Sequence, residues 1–157
     1  MMYRKIILAV WATTLMLTSQ TLLADSELSD AAKYRANVMS TIGSSFGDFI
    51  LLYLGKVQQP DDHIVTQAEI LANASTLIAD LVPAGSEGGE ALPAIWDNMD
   101  EYLKYADDAA TATSALAEAA VAGDRAAMGK AFKAAGNSCK ACHDKFHGLA
   151  DGTDADI

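Results

Sequence analysis

Cysteine is almost missing from this chain, which holds two in 157 residues and only three histidines beside them. A zinc site needs a second pair of ligands, and outside the segment that carries both cysteines only His63 and His147 remain to supply one. No stretch reads convincingly as a β-strand, which removes the βαβ setting that a thioredoxin-like thiol pair requires. Cations are scarce as well: 11 Lys and Arg stand against 21 Asp and Glu, for a formal net charge of −10. Such a surface argues against nucleic acid and anionic lipid as partners, and favours partners or docking patches of positive charge. No apolar stretch reaches the ~20 residues that a membrane-spanning helix needs. The three prolines, at 60, 83 and 93, fall at breaks in an otherwise helical pattern, and there is no internal repeat.

The N-terminus has its own order. Arg4 and Lys5 precede a stretch over 6–17 that is apolar apart from threonines, and a polar patch leads to Leu22-Leu23-Ala24. This is the layout of a secretory signal peptide over 1–24, although Leu22 is larger than the usual residue two places before a cleavage-site alanine. An uncleaved anchor is the competing reading, and the shortness of the apolar run counts against it. Cleavage after Ala24 leaves a single domain over 25–157, free of the membrane. It then carries nine cations and 21 acids, a net charge of about −12.

From 29 onward the pattern is helical. Ser29 is a good N-cap for a first helix over 29–56, whose apolar positions include Tyr34, Val38, Met39, Ile42, Phe46, Phe49, Ile50 and Tyr53. Asp61 is placed to cap a second helix, with Ile64, Ala68, Leu71, Leu77, Ile78 and Leu81 on its buried side. The one long irregular connection runs through 83–89. Pro93 suits the first turn of a third helical region carrying Ile95, Trp96, Met99, Leu103 and Leu116. Gly123-Asp124 ends it and caps a fourth helix, which Gly148 ends, and 151–157 reads as a frayed tail. The fold expected is all-α, an antiparallel four-helix bundle with a cofactor site between helices.

The fourth helix contains Cys139-Lys140-Ala141-Cys142-His143, the Cys-x-x-Cys-His signature of haem c attachment. Each thiol can add across one haem vinyl group, and the histidine can ligate the iron. On a helix, spacings of three and four put all three groups on one face. A disulfide between the two cysteines would close a very small loop and leave His143 unexplained. Haem addition to this motif in bacteria takes place outside the cytoplasm, which agrees with the leader and points to the periplasm. One haem c per chain is expected, with Cys139 and Cys142 as its covalent attachments and His143 as the proximal ligand of the iron.

A haem c motif at the C-terminal end of a four-helix bundle resembles the class II cytochromes c, chiefly cytochrome c′. The resemblance runs over about 31–147. It is carried by Lys33-Tyr34-Arg35 with Met39, Phe46-Gly47, Gly85-Ser86-Glu87-Gly88-Gly89, Pro93-Ala94-Ile95-Trp96, and Ala131-Phe132 leading into the motif. It implies further roles. Arg35 lies near the haem edge, where it can pair with a propionate; a solvated helix residue is the alternative. Glu90 falls where the family often makes haem-edge contacts. Met39 falls at the distal position, over the other face of the iron. There it is either a non-ligating pocket residue, leaving five-coordinate iron as in cytochrome c′, or the sixth ligand, as in the related low-spin c-556 type. His147 departs from the arginine or lysine usual four residues past the haem histidine. It either makes that charge pH-dependent or is a surface histidine at a helix end.

Three functions follow. The first is a haem protein that binds NO and CO and takes part in electron transfer through an unidentified redox partner. The second is a c-556-type electron carrier with Met39 on the iron. The third, a peroxidase, lacks a distal His and Arg pair at a suitable spacing, so no enzymatic role is expected. The family further implies a homodimer through the first two helices, with Phe49 or Tyr53 as exposed apolar contacts. His63 is expected to be solvated, and Met99, Met128 and Trp96 to be core or core margin.

Overall fold

The computed structural model describes residues 28–148; the leader assigned to 1–24 and the tail over 151–157 lie outside the described residues. The chain runs through α1 (Asp30–Tyr53), α2 (Asp62–Ser75), a 3₁₀ turn (Ile78–Asp80), α3 (Ala94–Asp97), α4 (Met99–Val121) and α5 (Arg125–Phe146). The long helices α1, α2, α4 and α5 form the expected antiparallel bundle, α1 packing on α2, α2 on α4 and α4 on α5.

The helix ends follow from local chemistry. The Ser29 hydroxyl accepts from the Ala32 amide at 3.2 Å, and the Asp124 carboxylate accepts from the Ala127 amide at 2.9 Å, opening α1 and α5. Asp61 stands at the N-cap of α2 but its side chain accepts no capping bond. Two glycines close α1 and α4 in the same way. Gly55 and Gly123 adopt φ of 64° and 67°. The amides after them, of Lys56 and Asp124, then reach back to the Leu51 and Ala119 carbonyls at 2.9 and 3.1 Å. Helix α1 therefore stops at Tyr53 rather than at 56.

Other departures from the sequence pattern have tertiary causes. The second helix ends at Ser75, and the apolar stretch beyond it continues as the 3₁₀ turn, with Ile78 and Leu81 buried and Leu77 turned outward. The third helical region is broken at Asn98 (φ −133°, ψ 48°), whose side-chain amide donates to the Ala94 carbonyl at 2.9 Å. A side chain that bonds its own backbone competes with the helix ladder. Leu103, expected inside, is 40% exposed, and Tyr34 is 55% exposed. Their neighbours Tyr102 and Arg35 are buried in their place.

The seam between α1 and α5 is the functional side of the bundle. At one end it is shut. Phe46 stacks on Phe132 with centroids 4.2 Å apart, and Phe132 on Phe49 at 5.4 Å. The Tyr53 hydroxyl donates to the Arg125 carbonyl at 3.1 Å, the Arg125 guanidinium lies 4.7 Å over the Tyr53 ring, and the same guanidinium donates to the Tyr53 carbonyl. Close approach here needs glycine on α5: a Cβ on Gly136 would lie 3.2 Å from the Phe46 ring and one on Gly129 2.6 Å from the Tyr53 hydroxyl. Phe49 is thus fully buried (0% exposed) and Tyr53 is committed to Arg125, which corrects the expectation that they are free for a partner. The exposed apolar residues of this region are instead Leu51, Leu54, Val57, Ile70 and Leu77.

Candidate functional site

At its other end the α1–α5 seam is held apart, leaving a cavity of about 590 Å³, within the range of small-molecule and cofactor sites. From α1 come Arg35, Ala36, Met39 and Ser40; from α5 come Cys142, His143 and Phe146, with His147 at its C-cap. Tyr102 of α4, Ile95 of α3 and the loop at Gly89, Glu90 and Ala91 close the rest. Leu28, Ala32, Ala36, Met39, Ile95 and Phe146 make the lining mainly apolar.

Helix α5 brings two of the three motif residues to the cavity wall. Cys142 and His143 face the cavity, and Cys139 is half-buried one turn earlier. No disulfide joins the two cysteines. Burial pushes both upward, Cys142 to about 11, so neither is a thiolate at neutral pH. That is the opposite of the activated thiol of a Cys-x-x-Cys redox pair. Burial, with a smaller contribution from His147, pushes the His143 imidazole below its ordinary value. It is therefore neutral at pH 7 and has a lone pair to offer a metal. An apolar cavity with the Cys142 thiol and a neutral His143 imidazole on its wall, and Cys139 one turn away on the same helix, suits a covalently tethered porphyrin.

Arg35 is 7% exposed, so the solvated alternative does not hold. Its guanidinium donates to the Ser86 carbonyl at 2.7 Å, the Gly88 carbonyl at 2.8 Å and the Leu81 carbonyl at 3.4 Å, and lies 5.8 Å over the Trp96 ring. It makes no ion pair among the described residues. A cation taken out of water with only carbonyl partners is costly, and burial pushes its pKa down. Gly88 and Gly89 sit at φ of 100° and 66°, so the loop can turn its carbonyls inward.

The loop is tied to α5 from the other side. The Leu92 amide donates to the Phe146 carbonyl at 3.0 Å and the Gly148 amide to the Glu90 carbonyl at 2.9 Å. The Glu90 carboxylate turns to His147, 3.2 Å from Nε2. The His147 ring stacks on that of His143 with centroids 4.9 Å apart and planes 12° from parallel. Its backbone is extended (φ −116°, ψ 135°), so it ends the helix while its half-buried ring stays in the cavity wall. His63 is exposed in the first turn of α2, away from this site. Met128 is buried core, with Met99 and Trp96 packed at its margin.

Tyr102 escaped the sequence reading. It is 3% exposed, donates to the Ile78 carbonyl at 2.7 Å, and meets Phe146 edge-on at 5.8 Å between centroids. The available signal was its place at the head of the small-residue stripe Tyr102, Ala106, Ala109, Thr113, Leu116 on α4.

Comparison with known proteins agrees with this geometry. The family model described as Cytochrome C′ matches residues 30–147. The chain is 32% identical over 117 residues to a cytochrome c′ of Alcaligenes xylosoxydans xylosoxydans, covering 74% of this chain and 92% of that protein. It is 31% identical over 115 residues to a cytochrome c-556 of Agrobacterium fabrum, covering 71% and 77%. Two solved structures of cytochrome c prime variants from Alcaligenes xylosoxidans, one a nitric oxide complex and one with carbon monoxide bound, superpose with a TM-score of 0.71 at 31% identity, covering 78% of this chain and 97% of theirs. With the match spanning every helix of the bundle and the motif on α5, the chain belongs to the cytochrome c′ family, whose cofactor is covalently attached haem c.

Proposed function

We propose that this chain is a periplasmic cytochrome of c′ type that binds NO and CO and takes part in electron transfer, with its iron five-coordinate and high-spin. Cys139 and Cys142 hold the haem, His143 is the proximal ligand, and Arg35 meets a propionate. When bound, the haem supplies an iron centre that takes a diatomic ligand and changes oxidation state. The chain does the rest. His143 offers a neutral imidazole whose orientation is held by the stacked His147 ring. Arg35 brings to the wall a buried positive charge without a carboxylate partner. Met39 and Ala36 supply apolar surface on the α1 side.

The observation that carries this reading is the commitment of the Arg35 and Tyr102 donors in the cavity wall; the partnerless buried ring nitrogen there, His147 Nδ1, lies on the His143 side. The Arg35 guanidinium serves loop carbonyls and the Tyr102 hydroxyl serves Ile78. Few donors remain to steady bound oxygen, whereas NO and CO need none. The nitric oxide and carbon monoxide complexes of the structural relatives point the same way.

The second reading is a six-coordinate, low-spin electron carrier. It is favoured by the Met39 thioether lining the same cavity as His143, and by the c-556 relative. Absorption spectra of the haem-loaded protein, oxidised, reduced, and reduced under CO, separate the two. High-spin bands with ready CO binding are expected; a sharp reduced α band with CO excluded puts Met39 on the iron. Haem extracted into acidified organic solvent would refute attachment at Cys139 and Cys142. No catalytic turnover is assigned. A homodimer through α1 and α2 is part of the proposal, with Leu51, Leu54, Ile70 and Leu77 as its apolar contacts.

A further inference from the structure

Charge is sorted by helix in this acidic protein. Helix α4 carries Asp100, Glu101, Asp107, Asp108 and Glu118 against Lys104 alone. Its neighbour α5 has the reverse: Arg125, Lys130, Lys133, Lys140 and Lys145 against Asp144 alone. More than half of the nine cations after residue 24 thus lie on the helix that bears the haem motif.

Two of these cations are already paired. Lys145 reaches across to Glu101 at 2.5 Å, and Lys140 pairs with Asp144 on its own helix at 2.6 Å. Lys130 and Lys133 do neither and make no ion pair among the described residues. Steps of three and four residues put Lys130, Lys133, Asn137, Lys140 and Asp144 in one outward row. All five are exposed, and the neighbouring Ala126, Ala134 and Ala141 raise no bulk between them. Its last cation, Lys140, stands between the two cysteines, and the row lies about one helix diameter, ~10–12 Å, from the cavity.

We infer that this row on α5 is the docking surface for a redox partner protein with a carboxylate-rich face. Net charge alone would demand the opposite, a cationic partner. The local field wins at short range, because at 0.1 M ionic strength charges farther than about 10 Å are screened. The acids of α4 still repel an anionic partner that approaches from that side, so the charge pattern orients the encounter as well as permitting it. The functional side of this inference rests on the electron-transfer reading above; the surface itself does not.

The test uses the haem-loaded protein in its reduced, CO-bound form. Polyglutamate is the footprinting probe, read through backbone amide shifts in NMR. Amides over 130–141 should shift while those of α4 stay still, and about 0.5 M salt should erase the effect. The K130E/K133E/K140E variant, checked for unchanged helicity and haem absorbance, should lose the footprint. No shift, a uniform shift, or a footprint that survives the triple reversal overturns the surface. Oxidation of the ferrous protein by hexacyanoferrate(III) gives the second readout. Its rate should fall several-fold between about 10 and 200 mM ionic strength, as for opposite charges, and rise with salt in the triple variant. A rate that rises with salt in the unaltered protein overturns docking at the haem. Failure to oxidise at any salt refutes electron transfer itself and leaves the footprint to decide the surface.

Discussion

Arg35 holds the cavity loop through carbonyl bonds at 2.7 and 2.8 Å, and removing it strands the buried Ser86 carbonyl and frees the exposed Gly88 carbonyl. Charged hydrogen bonds are each worth about 1.5–3 kcal/mol, so Arg35→Ala should cost about 3 kcal/mol in denaturant unfolding of the loaded protein. Arg35→Lys should recover only part, since an ammonium cannot fork to both carbonyls. Met39 has a sharper outcome. Met39→Leu keeps volume and apolarity, costing under about 1.5 kcal/mol, and should leave the absorption spectrum unchanged if the thioether is not a ligand. A low-spin spectrum that turns high-spin in this variant would establish the second reading. Tyr102 gives a pH dependence. Burial holds its phenol well above the ordinary value of 10.0. The folded state therefore prefers the neutral form, and its contribution is fully present below pH ~10 and lost as the pH rises beyond. Stability should fall above pH 10, and Tyr102→Phe should flatten that fall while losing about 1 kcal/mol with the bond to Ile78.

At the scale of the helix, the α1–α5 contact is set by what α5 lacks. Gly136 faces the Phe46 ring at a would-be Cβ distance of 3.2 Å, and Phe46 is locked in its stack on Phe132. Alanine there gains up to about 1 kcal/mol in helix propensity but overpacks at about 1–3 kcal/mol. Gly136→Ala should therefore destabilise by about 1 kcal/mol, read as a lowered Tm. Gly129→Ala displaces only the Tyr53 hydroxyl at the edge of the bundle. There a lost bond of about 1 kcal/mol offsets the propensity gain, so the net change should be small. What could be read ahead of the structure follows the same division. Ser29, Gly123-Asp124 and the Cys-x-x-Cys-His spacing act through residues within one turn, so their roles were legible. The end of α1 at Tyr53 was misplaced by three residues, though Gly55 marks it. The burial of Arg35 and the wall position of Tyr102 depend on partners 24 to 53 residues away, which periodicity along one helix does not encode. The break at Asn98 comes from a side chain that bonds its own backbone, and the apolar periodicity of Ile95, Trp96, Met99 and Leu103 runs across it unmarked.

The molecule as a whole is an acidic bundle with exposed apolar residues on α1, α2 and the turns that follow them, at Leu51, Leu54, Val57, Ile70 and Leu77, besides Leu103 and Val121 on α4. Burying such residues against a second copy would supply the main attraction between two chains of like charge. Sedimentation at micromolar concentration should report a dimer, tighter in added salt because screening relieves the mutual repulsion. Leu54→Glu should dissociate it without changing the haem spectrum. The cavity has a consequence of another kind. Its walls join the first turns of α1 to the last turns of α5, with the loop at Gly88 and Gly89 fastened to both. Residues about a hundred positions apart must be present together before any of it exists. A ribosome that has made three helices has made no part of the α5 wall, and an early stop before Phe146 removes the clasp on Leu92. The pocket is thus a checkpoint on synthesis: only a chain translated through α5 can close it around a cofactor.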